Sequence, residues 1–239
     1  MENLKENHES SLRETGILDG RLERRAFLRY AGAGTAVAAL VAAGCKKDRV
    51  PDMSFGATLD FRDDIGVLNY AYALEQLEAA FYIQVSSNPP SGFTTTQKNY
   101  FEDVQFHEIA HREFFKKLLG TAAIGSLEVD FSSINFNDGA SVLAAAQTFE
   151  DLGVAAYNGV GIRLKKDAYL VAAGQIVSVE ARHAAWVRDQ VSNGSFADLS
   201  SLTSSGASVS GGLDAALTPD KVLNAAGKYI KTKINIVNL

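Results

Sequence analysis

Glu108-Ile109-Ala110-His111 and Glu180-Ala181-Arg182-His183 are two Glu-x-x-His steps, each inside a stretch of helical periodicity. Residues three apart on a helix share a face, so each step can aim a carboxylate and an imidazole at one point. Each step is preceded by another helical stretch that carries a Glu, Glu75 before the first and Glu150 before the second. The order is therefore Glu75, Glu108/His111, Glu150, Glu180/His183. Four helices that turn four carboxylates and two imidazoles inward build a two-metal centre in the core of a bundle. Of the chain's four histidines, His8 lies in the N-terminal segment. Two of the other three close a Glu-x-x-His step.

Working outward, apolar periodicity predicts helices over residues 60–85, 96–119, 140–164 and 167–191. Ser86-Ser87-Asn88-Pro89-Pro90-Ser91-Gly92 breaks the first from the second, and only Lys165-Lys166 separates the third from the fourth. Short connections make antiparallel hairpins. The middle segment, about 20 residues, can span ~66 Å extended, against ~36 Å for a 24-residue helix, so it can run the length of the bundle. The expected fold is all-α: a four-helix bundle of two antiparallel hairpins joined by a long crossover, with a C-terminal extension.

The heights agree. Glu75 and Glu108 lie ~15–18 Å from the first turn, and Glu150 and Glu180 ~20–24 Å from the second. The hairpins also repeat one another, since Tyr82 follows Glu75 by seven residues and Tyr157 follows Glu150 by the same number. A repeated Glu-x6-Tyr then Glu-x-x-His predicts a pseudo-two-fold site, with each hairpin supplying half.

Leu74-Glu75-Gln76-Leu77-Glu78-Ala79-Ala80-Phe81-Tyr82 and Phe149-Glu150-Asp151-Leu152-Gly153-Val154-Ala155-Ala156-Tyr157, with the two Glu-x-x-His steps, resemble the ferritin-like superfamily. The likeness is to its exported branch, related to desiccation-associated proteins, and covers roughly residues 60–191. It implies a di-iron or di-manganese carboxylate centre. The branch itself implies no single activity.

The expected metal ligands are Glu75, Glu108, His111, Glu150, Glu180 and His183. The bland alternative is a solvated helical face, but apolar Ile109, Phe114, Val179 and Trp186 adjoin these residues, and a buried carboxylate without a partner is costly. Glu78 shares the face of Glu75 and Tyr82, and its spacing leaves three roles open: extra ligand, support to a ligand, or surface residue. Tyr82 and Tyr157 either hydrogen-bond ligand carboxylates and line the pocket or pack as ordinary aromatics. His107 points about 100° away from Glu108, as a surface residue or a support to a ligand. Asp151 is expected to face solvent. No nucleophile elbow or phosphate loop occurs, so hydrolysis has no support.

Glu23-Arg24-Arg25-Ala26-Phe27-Leu28-Arg29 resembles a twin-arginine export signal. The apolar run from Ala31 to Ala43 is too short for a bilayer core of ~30 Å. It ends at Val41-Ala42-Ala43-Gly44-Cys45, which resembles a lipobox with Cys45 as the acylated residue. Residues 1–45 are thus expected to be a twin-arginine lipoprotein-like signal, 46–59 a tether, 60–192 the bundle, and 193–239 a Ser/Gly-rich linker with a short helical tail. Cys45 is the only cysteine, so neither disulfides nor thiolate metal sites are available. Net charge is −5 and no basic block follows the signal, which excludes nucleic acid. Thr218-Pro219-Asp220 reads as a helix start, and the apolar residues 230–239 can pack on the bundle or add a strand to a partner.

Oxygen and nitrogen ligands suit two iron or manganese ions. The expected chemistry is redox work with dioxygen or peroxide (ferroxidase, peroxidase or catalase-like), on the periplasmic side or cell surface. Alternatives are metal binding without turnover and a stress-associated structural role. Expected partners are a membrane, through a lipid on Cys45, and the small oxidant; a homodimer is left open.

Overall fold

The computed structural model describes residues 56–200 and 213–239 of the 239-residue chain. The expected export signal, Cys45, most of the tether and linker residues 201–212 lie outside the described residues. In chain order the elements are β1 (Ala57–Asp60), α1 (Asp64–Ser87), α2 (Thr95–Leu119), α3 (Gly139–Val160), α4 (Asp167–Val191), α5 (Pro219–Ala226) and β2 (Ile234–Val237). Helices α1 to α4 form the four-helix bundle, with α1 packed on α2, α3 on α4, and α1 against α3. Among the described residues, no helix is long and apolar enough to cross a membrane.

Local chemistry sets the helix starts. Asp63 caps α1 by accepting from the Ile65 amide at 2.9 Å, and Asp138 caps α3 through the Ala140 amide at 3.0 Å. Thr94 and Gln97 form a reciprocal capping box at the start of α2. Lys166, ahead of α4, caps nothing with its side chain. Instead Asp64, in the first turn of α1, accepts from the Lys165 and Lys166 amides at 2.8 and 3.1 Å, tying the starts of α1 and α4 together. The Asn88-Pro89-Pro90 run stops α1, and Gly120, at φ 54°, stops α2.

Two boundaries differ from expectation by four residues, the others by two at most. The first helix begins at Asp64 rather than 60 because residues 57–60, the last three of the expected tether and the first of the expected bundle, are a strand. That strand pairs in parallel with the C-terminal tail, Ala57 against Ile234 through Asp60 against Val237. The apolar tail therefore adds its strand to the chain's own N-terminal segment. The third helix ends at Val160, short of 164, as Gly161 opens a 3-10 turn and Asp64 takes the amides beyond it.

The crossover between α2 and α3 lies along α1. Two buried polar side chains of α1 hold its backbone: Asn69 accepts from the Ile124 amide at 2.7 Å, and Gln76 from the Leu127 amide at 2.9 Å. Phe131 and Ile134 then anchor it in the core. The tail packs just as closely. A Cβ on Gly159 would come 1.8 Å from the Leu217 carbonyl oxygen, so only glycine lets this segment lie on α3, where the Leu217 amide donates to Ala155 O at 3.0 Å.

Apolar clusters flank the Glu/His layer along the bundle axis. On one side are Phe81, Phe101, Phe149 and Val187; on the other are Leu68, Tyr72, Phe115 and Ile176. Burying a Phe or Leu side chain contributes roughly 1.5–3 kcal/mol, so each cluster offsets part of the cost of the polar layer between them.

Candidate metal centre

The structure brings together all six residues expected from the spacing. Glu75, Glu108, Glu150 and Glu180 are 0% exposed and His183 is 4% exposed, while the His111 side chain keeps 12% of its surface. They form two overlapping groups able to hold a metal ion: Glu75, Glu108, His111 and Glu180, and Glu108, Glu150, Glu180 and His183. Within each group the candidate ligand atoms lie within 4.8 Å of one another.

Glu108 and Glu180 belong to both groups, one oxygen to each. His111 Nδ1 lies 2.9 Å from Glu180 Oε1, 3.4 Å from Glu75 Oε2 and 3.5 Å from Glu108 Oε2. His183 Nδ1 lies 3.1 Å from Glu108 Oε1, 3.4 Å from Glu150 Oε2 and 3.8 Å from Glu180 Oε2. Glu75 and Glu150 each serve one group.

The donor set passes a simple test of fit. Glu75 Oε2, Glu150 Oε2, all four oxygens of Glu108 and Glu180, and Nδ1 of both histidines are buried without a well-directed hydrogen bond. Several such atoms converging in a protein interior are expensive. A shared cation at each cluster of donors removes that cost.

Two tyrosines support the layer from the opposite hairpin. Tyr82 of α1 donates its hydroxyl proton to Glu150 Oε1 of α3, and Tyr157 of α3 donates to Glu75 Oε1 of α1. Each terminal carboxylate thus keeps its other oxygen free for the centre. Burial, then Glu150 for Tyr82 and Glu75 for Tyr157, push both phenols well up, so they stay protonated donors.

Without a cation, the layer stores protons. Burial alone would lower the His183 pKa, but Glu150 and its other carboxylate neighbours push it up to about 12, and His111 moves the same way. Burial and Glu180 raise Glu108 to about 8. Burial raises Glu150 to about 7 against the pull of His183. Glu180 goes down to about 2, because the two histidines outweigh its burial.

Glu78 is buried, which removes the surface reading, and lies outside both groups. Burial first, then the charges of Glu180, Glu108, Glu75 and Glu150, raise its pKa well above the carboxylate range. Its counterpart under the pseudo-two-fold is Gly153, three residues after Glu150. A Cβ there would stand 2.9 Å from Glu78 Oε1, so the missing side chain makes room for Glu78.

His107 is exposed at the surface and also touches a ligand candidate: its Nδ1 lies 2.9 Å from His183 Nε2, with the rings 12° from parallel. Asp151 does not face solvent. It is 1% exposed and paired with Arg188 of α4, whose Nε donates to Oδ1 at 2.7 Å. Pointing away from Glu150 means pointing into the α3–α4 contact. One further neighbour escaped the sequence reading. Tyr100 donates to the His183 carbonyl at 3.1 Å and stacks on Trp186 with ring centroids 3.4 Å apart. The available signal was Trp186 one helical turn after His183.

The family described as ferritin-like domain matches residues 63–193, which span α1 to α4 and all six candidate ligands. No curated protein matches the chain.

Proposed function

Since the chain belongs to the ferritin-like domain family, we propose that its buried Glu/His layer holds two iron or manganese ions and works on dioxygen or peroxide. The observation that carries this reading is the sharing of Glu108 and Glu180 between two overlapping four-residue groups. Glu75, Glu108, His111 and Glu180 would hold one ion; Glu108, Glu150, Glu180 and His183 would hold the other. Four carboxylates balance two divalent charges, and a donor set of oxygen and imidazole nitrogen suits iron and manganese. Bound there, such ions supply one-electron redox chemistry toward the oxidant.

The remaining residues prepare the layer. Tyr82 and Tyr157 fix the terminal carboxylates across the hairpin boundary, a support that raises ligand precision. Flanking aromatic clusters exclude water along the bundle axis. His111, the least buried of the six, marks the side on which a small oxidant reaches the layer. Glu78 keeps a proton on its carboxyl beside the centre. The Glu23–Arg29 stretch and Cys45 support an exported protein held to a membrane by a lipid.

Elemental analysis of the chain from cells supplied with iron and manganese tests the reading, beside the double variant Glu108→Ala/Glu180→Ala. About two iron or manganese atoms per chain, lost in the double variant, is the expected result for a bundle-core carboxylate site. The loaded chain should then oxidise ferrous ion or consume peroxide. A folded, metal-free wild type overturns the reading; a loaded chain inert to both oxidants leaves metal binding without redox work.

A further inference from the structure

The two halves of the layer share Glu108 and Glu180 but hold their histidines differently. The outer nitrogen of His183, Nε2, lies 2.9 Å from His107 Nδ1. The two rings stack nearly parallel with centroids 5.1 Å apart. On another side, Tyr100 presents its ring edge-on to His183, at 6.5 Å and 88°, and its hydroxyl holds the His183 carbonyl. Among the described residues, no hydrogen bond reaches the outer nitrogen of His111 and no ring contact involves it. The helical position that corresponds to His107 in α4, just before Glu180, is Val179, which offers no acceptor. At the histidine ligands the repeat is broken at this polar position.

The break has a chemical consequence. A histidine that turns Nδ1 to a cation must keep a lone pair there, so its proton sits on Nε2. An acceptor on Nε2–H selects that tautomer and fixes the ring plane. His107 Nδ1 is placed to accept, with its own proton on the far nitrogen toward solvent. The His183 ring is thus held in its ligating orientation before any ion arrives. His111 must order its ring as the ion binds and lose that freedom then.

We propose that His107 is a positioning residue that makes the Glu150/His183 position the first and tighter of the two metal positions, and the Glu75/His111 position the weaker, exchangeable one. The proposal rests on the metal-centre reading above.

Titration of the metal-free full chain with Co(II) alone, followed by d–d absorption and calorimetry, separates the two ideas. The wild type should fill in two phases. Glu150→Ala should remove the tight phase and Glu75→Ala the weak one, which assigns each phase to its half. His107→Phe keeps a stacking ring without an acceptor; it should weaken the tight phase by roughly 10–100-fold, the usual effect of losing a ligand's outer hydrogen bond, and leave the weak phase in place. His107→Gln, whose amide oxygen can accept, should recover most of the loss. Because His107 is exposed, circular dichroism should show both variants folded. A single uniform phase in the wild type overturns the proposal, as does equal weakening of both phases in His107→Phe or a Gln variant no better than Phe. In each of those cases the centre itself stands. A wild type that takes up no Co(II) instead refutes the metal-centre reading and takes this inference with it.

Discussion

Loading the Glu/His layer must expel the protons that the metal-free layer holds, and their number can be worked out group by group. At pH 7, His111 and His183 carry their protons, the latter being held up to about 12. Glu108, at about 8, is mostly protonated; Glu150, at about 7, is half so; Glu180, at about 2, has none to give. Ligands must be deprotonated to bind a cation, so these five groups release about three protons when both positions fill. The release should grow to about four near pH 5.5, where both raised carboxyls are fully protonated, and shrink to about two near pH 9, where only the histidines give up a proton. The overall two-metal constant then tightens roughly a thousandfold per pH unit around neutrality, since its slope on pH equals the protons released. Calorimetry with Mn(II) in two non-coordinating buffers of different ionisation enthalpy counts those protons directly. A release below about one proton at pH 7, or one that does not vary with pH, would show that the six side chains do not act as the ligand set.

Other outcomes follow from the same geometry. In the metal-free fold, Glu108 and Glu150 are held above the ordinary carboxylate value of 4.5, at about 8 and 7. The fold therefore binds more protons than the unfolded chain between those limits, and its stability falls as pH rises through them. Glu180, held at about 2, opposes this only below 4.5. The two histidines, also held up, act in the same direction, so thermal melts should place the metal-free chain at least about 10 °C lower at pH 8.5 than at 5.5; a flat or rising trend contradicts the proton assignment. Tyr82→Phe and Tyr157→Phe each remove one hydrogen bond to a buried carboxylate and should cost about 1.5–3 kcal/mol apiece in denaturant titrations. Their near-equality is the signature of the repeat. Arg188→Ala takes the buried cation from Asp151 and should cost about 3–5 kcal/mol; a loss under about 1 kcal/mol would mean that water replaces the pair. Gly159→Ala should destabilise by about 1–3 kcal/mol by forcing Leu217 off α3, and removing residues 213–239 should abolish that penalty.

What could be read from the sequence followed its local periods. Helix α4 runs over the expected residues and α2 begins one residue earlier, because caps and breaks lie within a few residues of the ends they set. The six site residues were legible for the same reason, as helical spacing places Glu108 with His111 and Glu180 with His183. The misses came from contacts between distant segments. The start of α1 depends on a strand partner at residues 234–237, some 175 residues along the chain. Asp151 and His107 each point about 100° from a ligand, which from sequence alone means outward. Each meets a residue of α4 instead, Arg188 and His183 respectively. The tyrosine spacing announced a repeat but not that each hydroxyl would cross to the other hairpin's glutamate. That needs the packing of α1 on α3, which no single helix encodes.

The β1–β2 ladder lies at the described ends of the bundle, with Ala57 at one extremity and Val237 at the other. Opposite pulls on residues 56 and 238 would load its parallel rungs in shear, all at once rather than one by one. Tension reaching the domain through residue 56 therefore meets this clasp before it meets α1. Asp60 reinforces the clasp with bonds from Arg62 and from Asn238, the residue just past β2. The glutamate of the first helix sits behind a mechanical fuse, sheltered from tension that arrives through residue 56.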